Sequence, residues 1–141
     1  MMKNHLILFL AAALTALPTL AHHGDAGRYE EEVIVVTGTV VALQLVDPHS
    51  VLIFDVTGPD SKVVRWQAEL FGRAQLTRQG WTRNTLKPGD KITLTGRRVK
   101  SGAAYMNMTD RAGVVLTDTG KLIFKTDNYG TNVKKDPVVV N

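Results

Sequence analysis

Residues 38–56 read Gly38-Thr39-Val40-Val41-Ala42-Leu43-Gln44-Leu45-Val46-Asp47-Pro48-His49-Ser50-Val51-Leu52-Ile53-Phe54-Asp55-Val56, and the fold turns on them. From Thr39 to Val46 nearly every residue is β-branched or aliphatic, as in a pleated, largely buried strand. Pro48 fixes its own φ and has no ladder donor, so strand pairing stops there. Asp47 before it is biased to extended geometry, and Asp47-Pro48-His49-Ser50 reads as a tight turn. Beyond the turn, Leu52, Phe54 and Val56 alternate with Val51, Ile53 and Asp55. Asp55 belongs in water, which sends Leu52, Phe54 and Val56 to the core. Gly38, within a branched run, marks a bulge or sharp bend in a long first strand.

Downstream, Gly58-Pro59-Asp60 is a turn into a third strand at 62–67, with Val64 and Trp66 on one face and Arg65 and Gln67 on the other. Residues 69–79 suit a short helix. Gly80 fits the left-handed position just past its end, with Trp81 packing back on Leu76. Leu86-Lys87-Pro88-Gly89-Asp90 carries Pro and Gly in the order of a type II turn. A fourth strand follows at 91–99, with Ile92 and Leu94 inward, and Ser101-Gly102 turns the chain into a fifth at 104–109. Residues 114–116 extend or follow it, and 120–124 add a hairpin partner. The order strand, strand, strand, helix, strand, strand predicts an all-β fold with one short helix, a five-stranded OB-like β-barrel. A small β-sandwich, the alternative, would not need the helix.

Upstream, Lys3 gives a positive start and residues 6–17 form an apolar run broken only by Thr15. Pro18 ends it, and Thr19-Leu20-Ala21 offers the small residues of a cleavage site. Residues 1–21 therefore read as a signal peptide, and the mature chain is expected to be periplasmic or secreted. The run is shorter than the ~20 residues a bilayer span needs, so no transmembrane span is expected after cleavage. Residues 22–32 are expected to be a flexible lead, 33–124 the barrel domain and 125–141 a loose tail.

The 141 residues suffice for one domain with a modest core. The formal charge of +4 is mildly basic, short of a nucleic-acid-binding excess. Arg65, Arg73, Arg78, Arg83, Arg97 and Arg98 could share a basic face, but base stacking needs exposed aromatics, and Phe54 and Trp66 fall on the inward parity. No nucleic-acid partner is expected. The absence of cysteine removes disulfides, zinc–thiolate sites, thiol catalysis and a lipid-anchored cysteine.

His22-His23, Gly38-Thr39-Val40, Pro48-His49, Trp66, Gly80-Trp81 and Leu86-Lys87-Pro88-Gly89-Asp90 together resemble an uncharacterised family of small exported bacterial proteins. Asp47 stands where that family usually has asparagine, and Gly24-Asp25 where it usually has Ser-Phe. The resemblance spans about residues 22–124. It implies export and a single β domain, and no activity. The expected fold is also similar to other small periplasmic OB barrels, copper and haem chaperones among them, at the level of fold alone.

Cleavage after Ala21 leaves His22 as the N-terminus, followed by His23, and His49 is the remaining histidine. An N-terminal amine with its own imidazole forms a chelate, and further imidazoles complete a site suited to copper. Met106 and Met108, two apart on a strand, share a face and offer soft thioethers to Cu(I), or simply fill the core. Asp47 with His49 could form an acid–base pair and a weaker metal ligand, but no nucleophile pattern accompanies them and no enzyme is expected. Two functions follow. One is an exported, non-catalytic binding protein handling copper through His22, His23 and His49. The alternative is a structural or interaction domain of the cell envelope without metal, whose partner is an envelope protein or small ligand.

Overall fold

In the computed structural model, which describes residues 27–134, the deciding stretch forms the end of β1 (Tyr29–Gln44), a loop, and β2 (Val51–Thr57). Leu52, Phe54 and Val56 are buried as their alternation requires. β1 begins at Tyr29, so the flexible lead expected through residue 32 is corrected from there on. Tyr29 and Val33 are both buried and pair with Val99 and Arg97 of β4 (Lys91–Val99). The register shifts between them, and residues 30–32, all glutamate, are exposed.

β1 belongs to both halves of the sheet. Up to Thr39 it pairs antiparallel with β4, and from Thr39 to Gln44 with β2. The handover needs a close approach. A Cβ on Gly38 would stand 2.7 Å from the Asp55 carbonyl oxygen and 2.8 Å from the Phe54 ring, so only glycine lets β2 cross there. A register shift between Val40 and Ala42 completes the bend.

β2 pairs with β3 (Val63–Glu69), β3 runs parallel to β5 (Tyr105–Asn107), and β5 pairs with β4, which returns to β1. This closes a five-stranded OB-like barrel. Two more strands, β6 (Gly113–Leu116) and β7 (Leu122–Lys125), extend the sheet from β4. Phe124 of β7 meets the rings of Phe71 and Trp81 edge-on, each at 6.0 Å.

The helix between β3 and β4, α1 (Arg73–Arg78), is shorter than expected. Glu69 finishes β3, the Leu70 N–H donates to the Ser50 carbonyl and the Arg73 N–H to the Val46 carbonyl, which holds the intervening residues extended. The end of α1 is as read. Gly80 has φ +88°, its N–H donates to the Thr77 carbonyl at 3.0 Å, and the Trp81 N–H donates to the Leu76 carbonyl at 3.0 Å. That pair of bonds is the Schellman motif, and Trp81 and Leu76 lie in one buried cluster.

Trp66 fills the barrel, its ring 6.2 Å from that of Phe54, with the Arg98 guanidinium 5.0 Å above it. Beyond β7, the expected loose tail is corrected as far as Lys134. Thr126 bonds Ala112 through backbone and side chain, and Val133 lies beside Val33 as a parallel bridge. Arg97 and Arg111 tie this region to β1. Both reach Asp110 and Glu31, and Asn128 Nδ2 donates to Asp110 Oδ1 at 2.7 Å. Burial pushes the Asp110 carboxyl up, but the bonds from Asn128 and Arg111 and the charges of Arg111 and Arg97 outweigh it and hold the group below the ordinary carboxylate range.

Candidate functional site

The loop between β1 and β2 is built on Ser50, which is buried. Its Oγ donates to the Val46 carbonyl at 3.2 Å and accepts from the Val46 N–H at 3.3 Å, closing residues 46–50 into a tight unit. The Asp47–Pro48 bond within it is cis. Asp47 turns toward α1: Oδ1 accepts the Ala74 N–H at 3.2 Å and Oδ2 lies 3.4 Å from Arg73 Nε. His49 turns the other way, with Nδ1 3.4 Å from Glu69 Oε1. Asp47 and His49, which could have formed an acid–base pair, instead take different partners. Successive side chains on either side of Pro48 serve different elements.

Glu69 is opposite Val51 at the end of β3, directly beneath the loop. It shares the outer face with Arg65 and Gln67, because Trp66 and Ala68 take the core. Its second oxygen accepts a hydrogen bond from the Tyr105 hydroxyl. Tyr105 opens β5, where the parallel pairing sets it beside Gln67. Burial, and then the bond to Glu69, push the Tyr105 phenol well above its ordinary value, so it stays a neutral donor. The Arg28 guanidinium lies 5.6 Å from the Tyr105 ring centroid. The result is a continuous polar chain, imidazole to carboxylate to phenol, in which His49 is half exposed and Glu69 largely covered.

On the same face, Arg65 clamps Asp55 with bonds of 2.9 and 3.0 Å, and holds that carboxyl below its ordinary range. A separate cleft of ≈ 490 Å³ opens elsewhere, where residues 30–32 stand with Arg98, Lys100 and Lys134. Its opposite charges are close to balanced.

Of the residues expected to hold copper, His22 and His23 lie outside the described residues. His49 is on the surface with Glu69. Met106 and Met108 are fully buried core residues whose thioethers close over Gly96. Among the described residues, no group of three or more His, Cys, Asp or Glu side chains could hold a metal ion. Glu69 and Tyr105 were not anticipated as partners of His49. The one sequence signal for Glu69 is its outward parity with Arg65 and Gln67, and a signal for Tyr105 exists only once β5 is laid parallel to β3.

A family model described as Family of unknown function (DUF6152) matches residues 10–108, a span that runs through β5 and takes in His49, Glu69 and Tyr105. A search of curated proteins finds no match.

Proposed function

We propose, for a chain that belongs to this family of unknown function, a role as a non-catalytic interaction domain of the cell envelope. It takes its partner on the outer face of β2, β3 and β5, beside the β1–β2 loop. One observation supports this reading above others: His49, Glu69 and Tyr105 are joined into a single polar chain on that face. OB barrels take their ligands on the face of their second and third strands and at the first loop. A neutral phenol and a half-exposed imidazole flanking a carboxylate offer directional hydrogen bonds. Among the described residues, the hydrogen bonds and ion pairs of these three side chains include no serine, threonine or lysine that the imidazole could activate as a nucleophile. The export segment of residues 1–21 puts the partner, an envelope protein or small ligand, in the periplasm or outside the cell.

A photo-crosslinking residue at Gln67, on this face, tests the proposal in the producing cell. Adducts are expected from Gln67, reduced by His49→Ala, and absent from the same residue at Lys121 on the β6–β7 turn. Equal adducts at both positions, or none at Gln67, would overturn it.

A second reading, copper held by His22, His23 and His49, has one observation in its favour. Nδ1 of His49 faces a carboxylate, as the non-ligating nitrogen of a metal-bound imidazole usually does. Cu(II) titration of the cleaved protein against His49→Ala decides it, since unchanged affinity removes His49 from any such site.

A further inference from the structure

A cleft of ≈ 370 Å³ lies between α1 and the chain that follows β7. Its volume falls at the lower end of the range of small-molecule sites, about 300–1,000 Å³. One wall comes from Phe71 and α1. Phe71 is half-buried, and its edge-on contact with Phe124 at 6.0 Å sets its place. Gln75 and the helix-capping Gln79 are one turn apart, which brings both carboxamides to the cleft. The opposite wall is built around Asn128 and Asp110. Asn128 Oδ1 accepts the Arg111 N–H at 2.8 Å and the Thr126 hydroxyl at 2.9 Å, and its Nδ2 donates to Asp110 Oδ1 at 2.7 Å. That amide is therefore fixed from both ends. Arg97 and Arg111 hold the other Asp110 oxygen, and the carboxyl, kept below its ordinary range, is ionised at neutral pH and only accepts. Lys125 and Asp127 add one charge of each sign to the lining, and the arginines behind Asp110 offset its charge.

We propose that this cleft is a binding site for one ring of a neutral sugar. The class of ligand follows from the lining. A sugar ring carries an apolar patch of C–H groups and an edge of neighbouring hydroxyls, each both donor and acceptor. Carboxamides and carboxylates meet such an edge with paired atoms, and an aromatic side chain meets the patch. Gln75, Gln79, Asn128 and Asp110 supply the first, and Phe71 the second. A wholly apolar ligand would desolvate these polar groups without pairing them, and a phosphorylated one would meet Asp110 and Asp127. The fixed wall of Asn128 and Asp110 lowers the ordering cost of binding. The lining does not include His49, Glu69 or Tyr105, so the sugar site and the proposed function stand or fall separately.

NMR titration of the isotope-labelled protein with maltotriose and with chitotriose, neutral chains of glucose and of N-acetylglucosamine, tests it. Saturable shifts are expected with at least one of them, largest at the side-chain amides of Gln75, Gln79 and Asn128 and at the Phe71 ring. Gln79→Ala, at an exposed position, should weaken binding roughly fivefold, the worth of one neutral hydrogen bond. Phe71→Leu, which keeps an apolar side chain but removes the ring, should also weaken it. The absence of saturable shifts with both sugars would overturn the proposal, as would shifts centred on His49 and Gln67 or an affinity indifferent to Gln79→Ala. Tighter binding of a phosphorylated hexose would make this an anion site and overturn it equally.

Discussion

Asp47 and His49 sit two residues apart in one loop and hold different elements. Asp47 accepts the Ala74 N–H of α1 at 3.2 Å, while His49 stands 3.4 Å from Glu69 at the end of β3. Anchorage of α1 and the contact with β3 are thereby divided between neighbours, and mutation can part them.

Asp47→Ala removes the acceptor that fixes the loop to the first turn of α1 and should cost about 1 kcal/mol, the usual worth of such a cap. His49→Ala touches a half-exposed side chain that meets Glu69 among the described residues and should stay within about 0.5 kcal/mol of wild type. Urea denaturation of the two variants checks the order. A larger loss from His49→Ala would make the imidazole a structural element and undo the division.

Trp66→Ala empties the middle of the barrel. The side chain is fully buried against Phe54, and truncation of such an aromatic costs about 3–5 kcal/mol. Loss of this size should shift the urea midpoint far below that of wild type, and an unchanged midpoint would contradict the burial.

Gly80 has φ +88° with nothing within 4 Å of the place a Cβ would take, so strain and not crowding decides substitutions there. Gly80→Val should cost roughly 1–3 kcal/mol. Gly80→Asn should cost less, because asparagine tolerates the left-handed region. Thermal unfolding of both variants would show the difference, and equal losses would mean that the Schellman geometry is not what matters.

Asp110 predicts an acid dependence. Its folded carboxyl titrates below the ordinary value of 3.8, so the stability it contributes is complete above that value and is lost as pH falls through the folded one. The gap in urea midpoint between wild type and Asp110→Asn should be constant from neutral pH down to about pH 5, and shrink below about pH 4. A gap that grows on acidification would reverse the sign and remove Asp110 as the linked group.

What could be read from the chain beforehand depended on range. The alternation of Leu52, Phe54 and Val56, the glycine past the helix and the Lys87-Pro88-Gly89-Asp90 turn are local devices, and each is present where its residues put it. The start of β1 was hidden because Tyr29 and Val33 are separated by three exposed glutamates and a register shift, which erases any period of two. Docking of residues 126–134 was hidden for another reason. It is made largely of backbone bonds and of polar side chains such as Thr126 and Asn128, which in sequence look like any solvated segment. The site was legible only at His49. Its partners Glu69 and Tyr105 lie on strands whose parallel pairing joins distant parts of the chain, and no local pattern announces that register.

The sharing of β1 between β2 and β4 also sets an order of events during synthesis. Its second half finds a partner as soon as the hairpin to β2 has emerged, but its first half waits for β4, and the outer side of Val33 waits for Asn132 and Lys134. Pairings over such separations place a small β domain among the slower folders, in milliseconds to seconds. A nascent chain released only as far as Thr85 would hold the meander of β1, β2 and β3 with half of β1 uncovered, and the barrel can close only when nearly the whole domain is free of the ribosome or of any channel it passes through.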